Sequence, residues 1–167
     1  MSDKKTLSLV KTALFAALIL VATFIIKIPT PGTGGYIHPG DAFVILAGVI
    51  LGPLYGGAAA AIGSALADAL GGYFVYFPVT FIVKGLCAAG SGLIYRKLSG
   101  KIKNDHIRVI LCGIFSTIVV AGGYLAFELI IYGKGAVASV PANTVQGVSG
   151  IVISSLLFPL LNKSIID

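Results

Sequence analysis

Residues 65–85 read ALADALGGYFVYFPVTFIVKG, and this stretch decides how the rest of the chain folds. An apolar segment carries Asp68 about a turn before it breaks at Gly71-Gly72. A loop of glycine and aromatic residues follows. A second apolar segment starts at Pro78 and carries Lys84, about 9 Å along at 1.5 Å per residue. Two opposite charges inside otherwise greasy sequence need a reason, because burying an ionisable group costs several kcal/mol unless it is paired or wet. Either Asp68 and Lys84 form an ion pair that pins one hairpin, or they contact a ligand; the two readings are compatible.

The surroundings define the class. Of the 167 residues, 57% are hydrophobic and only 11% charged, against roughly 25% charged in a soluble domain. Mean hydropathy is +1.01. The expected fold is an all-α integral membrane protein, a single transmembrane domain over residues 1–167. Lys4, Lys5 and Lys11 precede the first apolar run with no small-residue cleavage site, so that run is expected to stay in the mature chain. Cys87 and Cys112 lie in apolar runs and read as buried, inert thiols, not as a disulfide framework or metal site.

Six spans follow in order: residues 12–28, 42–51, 54–70, 78–95, 109–131 and 141–161. The second is short for a spanning helix, which needs about 20 residues, and Gly52-Pro53 breaks the chain after it. Lys and Arg accumulate on the cytoplasmic side of a membrane. The N-terminus holds three lysines. The polar stretch RKLSGKIKNDHIR, residues 96–108, holds Arg96, Lys97, Lys101, Lys103 and Arg108. Both belong inside, so an even number of crossings separates them. Four crossings satisfy this, whereas fusing residues 42–70 into one helix gives three. Both termini are then cytoplasmic, with Lys163 inside, and loops one, three and five lie outside.

On that topology the polar residues share a depth. His38 and Asp41 sit at the end of loop one, and Asp68 at the outer end of span three. Lys84 is in span four and Glu128 one turn from the outer end of span five. Asn143 and Gln146 are three residues apart, on one face at the start of span six. The inner half has no comparable group. This pattern points to an outward-facing cavity for a small polar molecule. Tyr36, Tyr73, Phe74, Tyr76, Phe77 and Tyr132 are available as flat walls for a ring, or as an aromatic belt. Glu128 and Asp41 also fit interfacial groups facing water, and Asn143 and Gln146 also fit helix-start residues that satisfy free N–H groups.

Small residues mark packing faces. Span three carries Ala59, Gly63, Ala67 and Gly71 at successive i+4 positions, a stripe suited to packing inside the bundle. Span one carries Ala13 and Ala17 four apart with Ala16 beside them, a candidate face for a partner subunit. The sequence has no G-x-x-x-x-G-K-[ST] phosphate loop, zinc pattern or nucleophile elbow. It therefore does not read as an ATPase or another enzyme, and no cofactor, metal or nucleic-acid partner is expected. Six short spans without visible inverted repeats are few for a complete secondary transporter.

The ordered set ALFAALIL (13–20), HPGDAFVILAGVILGPLYGG (38–57), FIVKG (81–85) and PANTVQGVSG (141–150) resembles the substrate-binding S components of energy-coupling factor (ECF) vitamin transporters. The likeness is to the branch with riboflavin, hydroxymethylpyrimidine and pyridoxine-type carriers. The resemblance implies a vitamin-like ligand near the outer face of a prokaryotic cell membrane, under loops one and three. It implies docking of Ala13 and Ala17 on a transmembrane coupling subunit, driven by two cytoplasmic ATPase subunits, with toppling of the S component in the bilayer. It carries Asp68, Lys84, Asn143, Gln146 and loop one from His38 to Asp41 over as pocket residues. The alternative is a stand-alone gradient-driven transporter or multidrug exporter, with Glu128 or Asp68 as its proton site.

Overall fold

The computed structural model describes residues 2–30 and 35–166. Residues 31–34 of loop one and the Lys163 side chain lie outside the described residues. The chain forms α1 (Ser2–Ile25), β1 (Ile28–Pro29), β2 (Tyr36–Ile37), α2 (Asp41–Leu51), α3 (Pro53–Leu70), α4 (Phe77–Leu98) and α5 (Asp105–Tyr132). A 3-10 segment (Gly133–Ser139) leads into α6 (Val140–Ile166). Among the described residues three stretches are long and apolar enough to cross a membrane: Asp3–Ile25, Phe77–Leu98 and Asp105–Asn162, the last taking in α5 and most of α6.

The core is built around α2, which contacts all five other helices. Its residues from Asp41 to Val49 are buried with the exception of Phe43. A helix that is apolar on every side belongs inside a bundle, and this one is short because its 11 residues have no lipid-facing role. Gly52 ends it with φ +84°, a left-handed conformation that costs glycine nothing, and Pro53 opens α3. The approach of α2 to α4 is backbone against backbone: a Cβ on Gly48 would sit 2.0 Å from the Ala88 carbonyl oxygen. The outer surfaces of the other helices carry Leu14, Val21, Ile82, Leu86, Ile118 and Leu156, all exposed, as a lipid-facing surface requires.

The stripe on α3 packs inward, as its spacing suggests. A Cβ on Gly63 would lie 2.4 Å from the Ala16 carbonyl of α1. Buried α4 and α5 are tied by reciprocal bonds: the Ser91 hydroxyl donates to the Cys112 carbonyl and the Cys112 thiol to the Ser91 carbonyl, at 3.4 and 3.2 Å. Both cysteines are buried and free.

Several boundaries differ from expectation: α4 runs on to Leu98, not Tyr95, α5 starts at Asp105, not Val109, and α6 runs to Ile166, not Leu161. The first helix starts ten residues before Thr12 and stops at Ile25, not Ile28. Pro29 disfavours helical geometry at the residue before it, and Ile28 and Pro29 instead pair antiparallel with Ile37 and Tyr36. Loop five is not irregular chain but the 3-10 segment, whose buried Ala136 and Ser139 pack it back onto the bundle.

Candidate functional site

Every predicted polar residue is buried: His38, Asp41, Asp68, Lys84, Glu128, Asn143 and Gln146. They converge at one end of the bundle in two layers. The inner layer is a closed network. Lys84, at 0% exposure, donates to Asp41 Oδ1. The Gln146 amide donates to Asp41 Oδ2 at 2.8 Å, and its Oε1 accepts from the His38 backbone N–H at 2.9 Å. This ties α4, α2, α6 and loop one together. Of the two readings of Asp68 and Lys84, the ion pair between them is not formed: Lys84 pairs with Asp41. Asp41 takes the lysine because it opens the central helix beside α4, whereas Asp68 turns to loop one.

The outer layer lines a cavity. Loop one supplies Thr30, Gly35, Tyr36 and His38, and α3 supplies Asp68. Tyr76 and Thr80 come from the start of α4, Tyr124 and Glu128 from the end of α5, and Asn143 from α6. About 360 Å³ lies between these walls, mouth included, but the centre of a water molecule reaches only about 20 Å³ of it. The walls thus nearly meet.

Hydroxyls hold the carboxylates. The Tyr36 hydroxyl donates to Asp68 Oδ1 at 2.7 Å, and the Tyr76 hydroxyl to Glu128 Oε1 at 2.9 Å. Ser139 of the 3-10 segment bonds Glu128 Oε2, and Thr80 and Tyr124 share a bond of 2.8 Å. His38 Nδ1 accepts from the Gly40 N–H at 3.0 Å, which leaves Nε2 to carry the ring proton. Burial, reinforced by the Lys84 charge, lowers the His38 pKa to about 3, so the ring is neutral. Burial and the adjacent Asp68 carboxylate push the Tyr36 hydroxyl well above its ordinary value, so it stays protonated and donates.

His38, Asp68, Glu128 and Asn143 thus line the cavity, and Asp41, Lys84 and Gln146 lie beneath it. Tyr73 does neither. It packs against Tyr36, ring centroids 4.4 Å apart, and Lys27 lies over both rings at 4.9 and 5.1 Å. Of the aromatic candidates, Tyr36 and Tyr76 form walls, while Phe74, Phe77 and Tyr132 are exposed and outside the cavity. Thr30, Thr80 and Tyr124 are wall residues the sequence reading missed. For two of them the signal was there: Tyr76, Thr80 and Lys84 repeat at i+4, as do Tyr124 and Glu128, and such residues share a helix face. Among the described residues no group of three or more His, Cys, Asp or Glu is placed to hold a metal ion.

A second, apolar groove of about 430 Å³ runs between α1 and α3, lined by Ala13, Ala16 and Ala17 with Leu9, Ile62 and Leu66 among others. Ala13 and Ala17 are exposed and Ala16 is half-buried.

A mostly helical bundle with lipid-compatible flanks and a buried polar cavity at one end fits the class of membrane-embedded binding proteins. Residues 3–163 match the family described as "ECF-type riboflavin transporter, S component", and the chain belongs to that family. S components are substrate-binding subunits of vitamin transporters and not enzymes. An uncharacterized protein in a gap 3' region of Pyrococcus woesei is 37% identical over 148 residues, 88% of this chain and 96% of that one. The fold is similar to that described in "Structure and mechanism of the S component of a bacterial ECF transporter", with TM-score 0.69, 23% identity and full coverage of both chains. It is also similar to the S component for biotin from an ECF-type ABC transporter, with TM-score 0.68 and 20% identity over 100% of this chain and 95% of that one.

Proposed function

We propose that the chain captures a small ring-bearing vitamin or vitamin precursor, hydroxymethylpyrimidine- or pyridoxine-like, in the cavity between loop one and helices α3 to α6. The observation that carries this is the convergence of five separate segments on one buried, polar, aromatic-walled space. In the structure the centre of a water molecule reaches only about 20 Å³ of that space. The near contact of its walls means that loop one and the loop before α4 part to admit it.

In this reading residues 1–167 form one domain in a prokaryotic cell membrane, crossing six times with both termini cytoplasmic. His38, Asp68, Glu128 and Asn143 contact the ligand. Asp41, Lys84 and Gln146 hold the floor, and Tyr73 backs the Tyr36 wall. The groove along Ala13, Ala16 and Ala17 receives a transmembrane coupling subunit, and two cytoplasmic ATPases drive toppling and inward release. The exposure of two of those alanines beside a smooth apolar groove supports that docking face.

The test has two arms. Purified full-length protein is titrated with a vitamin panel that includes riboflavin, and uptake is measured in the assembled transporter for Ala13→Leu with Ala17→Leu. The proposal expects one-to-one binding and loss of uptake with binding retained. No binding across the panel, together with unchanged uptake in the double variant, would sink it.

A further inference from the structure

The end of the bundle opposite the cavity collects positive charge. Helix α4 leaves the cavity lining at Thr80 and reaches Arg96 about 24 Å further along, at 1.5 Å per residue. The turn from there into the start of α5 holds Arg96, Lys97, Lys101, Lys103 and Arg108. Its one acid, Asp105, is bonded to the Arg108 guanidinium, which also stacks on the Tyr95 ring at 4.2 Å. Arg96, Lys97, Lys101 and Lys103 are exposed, and among the described residues no acid pairs with any of them. The buried acids Asp41, Asp68 and Glu128 are all at the cavity end.

Folding alone does not account for this turn. Arg96 and Lys97 suit the last turn of α4, where cations complement the helix dipole. Lys101 and Lys103 do the reverse: they precede the N-terminus of α5, the positive end of its dipole, where further cations are unfavourable. An anion held between the two helix ends offsets that repulsion. The surface below says which anion. Leu93, three residues before Arg96 and four before Lys97, is exposed, and Ile107, Ile110 and Ile114 form an exposed row at helical spacing just past Lys103. A soluble anion would use the bases and leave these apolar rows bare. An amphiphile covers both, with chains along the rows and its charge at their end.

We infer that the turn between α4 and α5 is a docking surface for anionic phospholipids of the surrounding bilayer. The phosphate lies against Arg96, Lys97, Lys101 and Lys103, and the acyl chains run along Leu93 and the Ile107–Ile110–Ile114 row. Clustered bases beside a membrane segment recognise anionic headgroups in this way. The surface is remote from the cavity and does not depend on what the cavity binds.

Native mass spectrometry of the purified full chain in mild detergent tests it, with phosphatidylglycerol and phosphatidylcholine added in equal amounts. The attraction of one such base is about fivefold, so phosphatidylglycerol adducts are expected to exceed phosphatidylcholine adducts about tenfold or more. In Lys97→Gln with Lys101→Gln and Lys103→Gln the excess is expected to fall to about twofold or less, with the unfolding midpoint in lipid-free detergent unchanged. Added salt should shrink the wild-type excess. Equal adducts in the wild type overturn the inference, as does an excess lost only in Lys4→Gln with Lys5→Gln. Displacement of the lipid by inorganic phosphate at constant ionic strength overturns it in favour of a soluble anion. An unchanged lipid ratio in the triple variant, with loss of co-purifying ATPase subunits, overturns it in favour of a protein partner. Each of these results leaves the cavity reading standing.

Discussion

Replacing Lys84 with Met separates a structural lysine from a ligand-binding one. Lys84 and Asp41 are both essentially unexposed, and the lysine lies below the cavity without lining it. Methionine keeps the volume but strands the Asp41 carboxylate with only the Gln146 amide as partner. Removing one member of a buried pair costs about 3–5 kcal/mol, mostly the penalty of the remaining charge. At roughly 2–4 °C per kcal/mol for a chain of this size, the midpoint of thermal unfolding in detergent should fall by about 6–20 °C. Asp41→Asn on top of Lys84→Met removes the stranded charge, so the double variant should recover much of the loss. The coupling between the two changes should exceed about 1 kcal/mol, since the residues touch. A Lys84→Met protein that unfolds at the wild-type temperature but no longer binds ligand would refute this reasoning and return the lysine to the binding site.

Other outcomes follow from single contacts. His38 has its pKa lowered from 6.5 to about 3, so its contribution is fully present above pH 6.5 and is lost as pH falls from there toward 3. At pH 5 the cost is about 2 kcal/mol, to be read as a lower unfolding midpoint at pH 5 than at pH 7.5 that His38→Gln abolishes. Tyr76→Phe takes a hydroxyl from a buried carboxylate and should cost about 1–3 kcal/mol in the same unfolding assay. Gly48→Ala drives a methyl group to 2.0 Å from the Ala88 carbonyl, so α2 and α4 must separate. Overpacking of this kind costs about 1–3 kcal/mol, and denaturant titration should show it, while Gly100→Ala, with open space around it, should be neutral.

Much of this architecture was legible in the chain because membrane burial leaves a strong signature. Four of the six helices begin within a residue of an expected span start: α2 at Asp41, α3 at Pro53, α4 at Phe77 and α6 at Val140. Pro and Gly punctuation marks all four: Pro39-Gly40, Gly52-Pro53, Pro78 and Pro141. That these polar groups gather at one end of the bundle was also readable, since they are scarce and their positions along each apolar run are simple to count. The pairing was not. Asp68 and Lys84 are neighbours along one hairpin, yet Lys84 bonds a residue 43 positions away. Which acid reaches a buried lysine depends on how α2 is inserted among the other helices, and spacing along the chain does not carry that. Thr80 and Tyr124 were overlooked for a different reason. A hydroxyl on an apolar face looks like ordinary core until its neighbour across the bundle is known, here 2.8 Å away.

The central claim is that the cavity above Asp41 and Lys84 holds a small vitamin-like ring. Native mass spectrometry of the full-length protein, purified in mild detergent from cells, tests it most directly. The account predicts a one-to-one complex with a small ring-bearing molecule, and loss of that added mass in Asn143→Leu, a variant that fills the cavity wall without touching the Lys84–Asp41 floor. A protein that carries no such molecule and takes none up from a vitamin mixture would contradict it, as would one whose bound molecule is unaffected by Asn143→Leu.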